Sequence, residues 1–272
     1  MKKRFIVLVD FSEYSEHLLQ FAADWSGRIK AEIVLLHSTP VLLPAMTPSE
    51  SRKKISSIAN VDALNKLKAL SQSVLPPGTS ARYIASEKPL IIVLNELLQQ
   101  HFNQLVFLGI KETGLLKKVF LGSEAVKVID GINNVIVAMP QNASCCSPES
   151  IHVAVQKKYP LKLFEFNKFL KFTNEEIKKI TFFSFITADD DPNATEKYLK
   201  ELAELYSENR ETAYDLYHGN DELISLKNLI SEKANEFIVL QRGSRLLFDQ
   251  IFRRFLVNEL VYDGRTPLII LP

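Results

Sequence analysis

Cysteine is almost absent from this chain: only two of its 272 residues are Cys, and both, Cys145 and Cys146, lie in one short tract. Two thiols cannot form a disulfide framework or a four-thiolate zinc site. A disulfide between adjacent cysteines is strained, so two free thiols in a linker are the simpler interpretation. A redox-labile pair is the alternative.

Long apolar runs and an excess of one charge sign are also absent. No run approaches the roughly 18–20 residues that a membrane-spanning helix needs. The first residues, "MKKRFIVLVD", look like a signal peptide, but Asp10 ends the apolar run too early for export. With 33 basic and 32 acidic residues, the net charge of +1 gives no field for nucleic acid or an anionic membrane. We therefore expect a cytoplasmic protein with neither as a partner.

Apolar segments of strand length alternate with amphipathic segments of helix length. "RFIVLVD" and "AEIVLLH" are typical of strands buried on both faces, and a helix between them is predicted to end at Gly27. Further helices are predicted at Ser49–Ser73, at Pro89–Gln100 and from Ser123. Strands alternating with helices of this length predict an α/β fold with a parallel sheet of about five strands and helices on both faces.

The chain divides into two similar halves. Gln141–Ser150, "QNASCCSPES", is typical of a linker, so we predict domains at 1–142 and 150–272. The segments Gly109–Pro140 and Gln241–Pro272 are both 32 residues long and both end in an apolar strand and a proline. An offset of 132 residues superposes these segments, and an offset of 147 superposes the first parts of the halves.

Polar residues and glycine follow the predicted strands of the first half. Asp10, Ser38 and Gly109 lie at strand ends, where ligands bind in open parallel sheets. Gly122-Ser123 opens a helix, whose free N–H groups favour anions. Each residue also has a purely structural interpretation: Ser123 as a helix cap and Gly109 as a turn.

Two other polar groups are weaker candidates for a site. The five histidines show no metal-ligand spacing, and we expect His37 to be a satisfied core residue. Asp189–Asp191 precedes Pro192 and is typical of an exposed turn and helix start rather than a metal site.

Three stretches, "IVLVDFSEYSEHLLQFA", "AEIVLLHS" and "LGIKETGLLKKVFLGSEAVKVI", resemble the universal stress protein family in its tandem two-domain form. Members that bind ATP carry Gly-x2-Gly-x9-Gly-Ser/Thr and an aspartate after the first strand. The resemblance implies that ATP or AMP, with a divalent metal ion such as Mg²⁺, binds in the first half. The candidate binding residues are Val9, Asp10, Ser38, Gly109, Lys111, Gly114, Gly122 and Ser123.

Glu112 departs from this motif, because it stands where the resembling family has the second glycine. A carboxylate about 5 Å from a phosphate charge costs on the order of 3 kcal/mol at an effective dielectric of ~20. A left-handed backbone at this position would add ~1–2 kcal/mol. Glu112 is therefore predicted to weaken nucleotide binding, unless Gly114 re-routes the loop or lysines such as Lys117 and Lys118 offset its charge.

The second half lacks the motif. The two offsets place Lys157 at Asp10, Gln241 at Gly109 and Ser244 at Glu112, and they place Arg254 and Phe255 at Gly122 and Ser123. The residue types that a phosphate cradle needs at these positions are all replaced, so this half is predicted to serve structure or partner contacts, although an arginine could still meet an anion.

These features predict a non-catalytic stress-response or signalling protein with at most one nucleotide site, in the first half. A nucleotide-free interaction scaffold is the alternative, and an ATP-hydrolysing enzyme is the third candidate. By resemblance, the final strands "NVIVAMP" and "TPLIILP" are predicted to pair within the chain as an intrachain pseudo-dimer. A homodimer is left open, and the protein partner is not specified.

Overall fold

The computed structural model describes the chain in two compact units. They comprise Met1–Gly109 with Ser123–Asn134, and Ile110–Gly122 with Val135–Pro272. Within them, the described residues are 1–41, 43–110, 112–113, 118–119, 123–140, 143, 148–186, 190–218, 236–242 and 266–272. Cys145 and Cys146 lie outside these ranges.

The first unit has a four-stranded, all-parallel sheet in the order β4-β1-β2-β3. Its strands β1, β2 and β4 are almost continuously buried, as the unbroken apolar runs predict. The elements are β1 (Lys3–Leu8), α1 (Tyr14–Ile29), β2 (Glu32–Ser38), α2 (Ser49–Val74), β3 (Ala81–Ser86), α3 (Leu90–Leu98), β4 (Asn103–Ile110) and α4 (Ser123–Gly131).

The core of the first unit is aromatic. Trp25 on α1 packs with its ring centroid 5.3 Å from Phe5 and 5.7 Å from Phe107, which lie on neighbouring strands. All three side chains are 0% exposed. The helical spacing of apolar residues in α1 thus seats this helix on the sheet.

The predicted end of α1 at Gly27 is wrong. The helix continues to Ile29, and Lys30 takes the left-handed conformation at its end with φ 56°. Ile29 is buried, so continuing the helix places one more apolar side chain in the core. That gain outweighs the preference for glycine at a helix end.

The buried Arg4 binds groups at the amino-terminal end of the first sheet. Its Nε and Nη2 donate to the side-chain oxygen of Gln104 at 3.0 and 2.6 Å, and Nη2 also donates to the carbonyl of Leu97 at 2.9 Å. Nη1 donates to Gln100, and the guanidinium lies 4.0 Å from the ring centroid of Phe102. Burial lowers the pKa of Arg4, but an arginine stays charged.

The second unit repeats the strand order of the first, as β10-β9-β8-β11, and continues it with β12. These strands are parallel, which confirms the predicted α/β class. The elements are the short pair β5 (Glu112–Thr113) and β6 (Lys118–Val119), then β7 (Ile136–Pro140), β8 (Ser150–Ala154), α5 (Leu163–Phe172), β9 (Lys179–Ile186), α6 (Pro192–Tyr206), β10 (Glu211–His218), β11 (Glu236–Gln241) and β12 (Leu268–Leu271).

Strand β7 belongs to the second unit because it pairs with β12. The pairing is antiparallel, with Ile269 opposite Val137. The prediction that the final strands of the two halves pair is therefore confirmed. The domain limits at 142 and 150 and the pseudo-dimer stay predictions.

Helix α6 begins as the sequence predicts. Pro192 is its first residue, and the Asp191 side chain accepts a hydrogen bond from Ala194 N at 3.2 Å. Asp191 is thus a helix cap, the structural role predicted for this acidic run. None of the helices in the described ranges is long and apolar enough to cross a membrane.

Candidate functional site

The carboxyl-terminal edge of the first sheet brings together several predicted residues. Strand β1 lies between β2 and β4 and is parallel to both, so Asp10, Ser38 and Gly109 follow or end strands at one edge. The chain leaves β1 towards β2 and later returns to β4 on the other side. The gap between β1 and β4 is therefore the topological switch point, where ligands bind in such sheets.

Asp10 organises the entry to α1. Its Oδ1 accepts hydrogen bonds from Ser12 N at 3.0 Å, from Ser12 Oγ at 2.6 Å and from Ser15 Oγ at 3.1 Å. Phe11, the next residue, adopts a left-handed backbone with φ 58°. The sequence analysis did not single out Ser12 and Ser15, although polar residues two and five positions after an aspartate are typical of such a turn.

Val9 is held by its backbone. Its N–H donates to the carbonyl of Leu36 at 2.9 Å, and its carbonyl lies 2.7 Å from Nδ1 of His37. The ring of His37 packs 4.4 Å from that of Phe11. His37 is half-buried and satisfied at Nδ1, in agreement with its predicted structural role.

A polar network that the sequence analysis missed continues this edge past β2. Thr39 Oγ1 donates to the side-chain oxygen of Asn60 on α2, and Asn60 Nδ2 donates to Glu87 at 2.6 Å. This hydrogen bond is the main reason why the pKa of Glu87 lies below its ordinary value. Asn60 is one of many polar residues on a long helix, so its position in the sequence does not indicate a role at this edge.

Gly109 leaves space at the end of β4. A Cβ added to this glycine would meet nothing within 4 Å, and its backbone is not left-handed. Glycine is therefore not required by the local conformation or by packing. The absence of a side chain at Gly109 leaves open space beside the switch point.

The stretch after Gly109 is a short hairpin at the described positions. Glu112 pairs with Val119 and Thr113 with Lys118, in antiparallel register. The backbone of Glu112 is therefore extended rather than left-handed. Lys111, Gly114, Lys117 and Gly122 lie outside the described residues. Ser123 is the first residue of α4, as predicted.

The equivalent edge of the second unit is closed by the chain itself. Gln241, at the end of β11, accepts a hydrogen bond from Lys162 N at 2.5 Å and donates to the carbonyl of Pro160 at 3.2 Å. The Lys162 ammonium donates to the carbonyl of Pro272 at 3.0 Å. Tyr198 OH accepts from Leu161 N at 2.8 Å. Ser244, Arg254 and Phe255 lie outside the described residues.

A protein-only metal centre is not found in the described ranges. They contain no group of three or more His, Cys, Asp or Glu side chains that could hold an ion. A Mg²⁺ ion bound with a nucleotide usually takes most of its ligands from phosphates and water, so this finding does not conflict with a metal–nucleotide ligand.

The comparisons with known proteins assign the family. The sequence model of the universal stress protein family matches residues 1–137. This chain therefore belongs to the universal stress protein family. A search of curated proteins by sequence gives no match.

Solved structures share the fold. A universal stress protein from Archaeoglobus fulgidus is similar with a TM-score of 0.65 at 14% identity, covering 98% of this chain and 95% of that one. The cytoplasmic domain of a prokaryotic cation chloride cotransporter is similar with a TM-score of 0.56 at 15% identity, covering 99% and 95%. At such identities, the likeness supports the fold alone.

Proposed function

We propose that the first half of the chain carries one weakened nucleotide site and that the protein is a non-catalytic, cytoplasmic stress-response or signalling module. ATP or AMP is the ligand class, with a divalent metal ion such as Mg²⁺. The observation that carries this proposal is the contrast between the two edges. Gly109 has open space above it, whereas Gln241 at the equivalent position binds its own chain.

The residues at the first edge suit different parts of a nucleotide. The first turn of α4, with Ser123 at its start, offers N–H groups to a phosphate. The exposed Asp10 carboxylate suits hydroxyl or amino donors rather than phosphate. The Val9 backbone follows β1 beside the gap, and Ser38 ends β2, the next strand along the same edge. Lys111, Gly114 and Gly122 complete the proposed set from the sequence motif.

Binding is favoured over hydrolysis because the groups that could act as a general base already form hydrogen bonds within the protein. Asp10 Oδ1 accepts hydrogen bonds from Ser12 and Ser15, and His37 Nδ1 is engaged by the Val9 carbonyl. Neither arrangement is that of a general base directed at a water molecule. We therefore expect no release of inorganic phosphate from ATP above background.

The alternative function is a nucleotide-free interaction scaffold. It is supported by α2, on which Ile58 and Val61 are 61% and 55% exposed. The buried residues of this helix are confined to its second half, from Ala63 onwards. Exposed apolar residues on one helix are a feature of protein-binding surfaces.

The experiment that separates the two functions is calorimetric titration of the full chain with ATP and AMP in the presence of Mg²⁺. Mass spectrometry of ligand released from freshly purified protein accompanies it. We expect one equivalent per chain and about two- to tenfold weaker binding for Ser123→Ala, the loss of one hydrogen bond. Ser73→Ala on α2 is the control and should bind as the native protein does. No binding at millimolar nucleotide would establish the scaffold instead, and two equivalents would contradict the single site.

A further inference from the structure

An open cavity lies at the amino-terminal end of the second sheet, opposite the edge at which Gln241 lies. Its volume is about 670 Å³, between the connection that precedes β9 and the connection that precedes β10. Strands β9 and β10 are parallel, with Glu211 opposite Lys179, so the two connections meet at one edge. A cavity of this size is large enough for a small metabolite.

Two cations line this cavity without a described partner. Arg210 has its Nε shielded from solvent, and no described group accepts a hydrogen bond from it. Lys178 is exposed, and it forms no ion pair within the described ranges. The guanidinium also lines the cavity, where the oxygen atoms of a bound group would accept hydrogen bonds from its N–H groups.

The acidic residues of the cavity do not neutralise both cations. Glu211 is already paired with Lys179, whose ammonium lies 2.5 Å from its carboxylate. Glu175, held with φ 66°, is the remaining carboxylate of the lining. The cavity therefore has two positive charges, on Lys178 and Arg210, against one unpaired negative charge, on Glu175, and its net charge is positive. Asn209 and Ser207 add polar groups to the lining.

We propose that this cavity binds the oxyanion group, phosphate or carboxylate, of a small molecule. Arg210 supplies the fork of N–H donors, and Lys178 supplies a second positive charge. Glu175 disfavours a bare anion and favours a ligand that also carries an amino or hydroxyl group. This inference is independent of the nucleotide site, because it uses the opposite end of the sheet in the other unit.

The test is an NMR titration of the full chain with inorganic phosphate and, separately, with malonate. We expect the Arg210 Nε–Hε resonance and the amides of residues 175–178 and 207–211 to shift with at least one of them. The stronger shift identifies the preferred oxyanion. Arg210→Gln should weaken this binding at least tenfold, because the bidentate donor is lost. Lys178→Gln should weaken it about threefold, because an exposed ammonium contributes less.

Three further variants keep the test decisive. Glu175→Gln should tighten phosphate binding about threefold by removing a like charge. Lys168→Gln, an exposed lysine on α5 in the same unit, is the matched control and should change nothing. Arg210→Lys retains the charge but not the fork, so it should lie between the native protein and Arg210→Gln. If neither anion shifts these resonances, or if Arg210→Gln binds as the native protein does, the proposal is overturned.

Discussion

The two units build the same strand order but treat its carboxyl-terminal edge differently. In the first unit, Gly109 is the last residue but one of β4 and has open space beside it. In the second, Gln241 occupies the equivalent position and binds the backbone at Pro160 and Lys162. A switch point is therefore a position that a fold makes available, and the residue near the strand end decides whether space remains there or the chain itself fills it.

The opposite edges of the two sheets differ in a related way. The sequence offset of 132 residues aligns Gln104 with Glu236, and both are buried next to a basic group. Gln104 binds the guanidinium of Arg4, whereas Glu236 lies 2.8 Å from Nε2 of His152. The first edge thus pairs a buried arginine with a neutral amide, and the second pairs a buried histidine with a carboxyl group.

The greatest loss of stability is expected from removing one acceptor of the buried Arg4. Gln104→Leu should lower the free energy of unfolding by about 2–3 kcal/mol, because Nε of Arg4 loses its acceptor while Nη1 and Nη2 keep Gln100 and the Leu97 carbonyl. The equivalent Glu236→Leu should cost about 1–3 kcal/mol, because the buried Nε2 of His152 loses its partner. Urea unfolding measures both changes. The double variant Arg4→Met/Gln104→Leu should recover most of the loss, and equal stability of the single and double variants would contradict this account.

The next effect tests the closed edge. Gln241→Ala should lower the free energy of unfolding by about 1–3 kcal/mol, because Lys162 N loses its acceptor. Faster amide hydrogen exchange at Leu161 and Lys162 would show that the loss of stability arises at this contact. The variant should still bind no more than one nucleotide per chain, because open space alone does not supply the groups that bind phosphate. In the reciprocal change, Gly109→Gln should abolish ATP binding at nearly unchanged stability; retained binding would place the ligand elsewhere.

A third effect concerns Glu112. Its extended backbone in β5 removes the conformational part of the cost predicted from the sequence, so only its charge remains to oppose phosphate. Glu112→Gln and Glu112→Gly should therefore both tighten ATP binding by about tenfold, or ~1.4 kcal/mol, in calorimetric titration. AMP should gain less than ATP, because it brings less charge. A gain confined to the glycine variant would show that backbone freedom matters, and no gain in either would show that the carboxylate is remote from the ligand.

The smallest expected effect tests the longer helix of the first unit. α2 has 26 residues against 15 in its counterpart α6, and Asn60 on α2 binds Glu87. Asn60→Ala should raise the pKa of Glu87 towards its ordinary value, which carbon-detected NMR titration of the carboxyl group measures. Because the folded-state pKa is depressed, the stability it contributes is present above the unfolded pKa and is lost as pH falls through the folded value. An unchanged titration would mean that Asn60 does not control this carboxylate.

Much of the fold could be predicted because burial leaves a local pattern. The continuous apolar runs in β1, β2 and β8, the start of α2 at Ser49 and the start of α4 at Ser123 all follow from spacing. The helix end at Gly27 could not be predicted in this way. There, the burial of Ile29 outweighed a local preference, and the strength of that burial depends on the sheet beneath it.

The site was only partly predictable for a similar reason. Asp10, Ser38 and Gly109 were predicted to share one edge because parallel strands align their ends. The hydrogen bonds at the two edges were not predicted. Ser12 and Ser15 donate to Asp10, His37 contacts the Val9 carbonyl, and Gln241 accepts from Lys162, 79 positions away. Hydrogen bonds of this kind depend on the directions of side chains, which residue spacing does not encode.

Residue order alone predicts the α/β class, the parallel strands and the loss of the motif in the second half. These properties follow from the periodicity of apolar residues and from residue type at strand ends, which are local quantities. The folded chain was needed to show that Glu112 lies in an extended hairpin, that β7 pairs with β12, and that Arg210 lines a cavity without an acceptor. The reason is physical: strand pairing, closure of a crevice and the cost of an unpaired buried donor all depend on groups that are distant in the chain and adjacent in space.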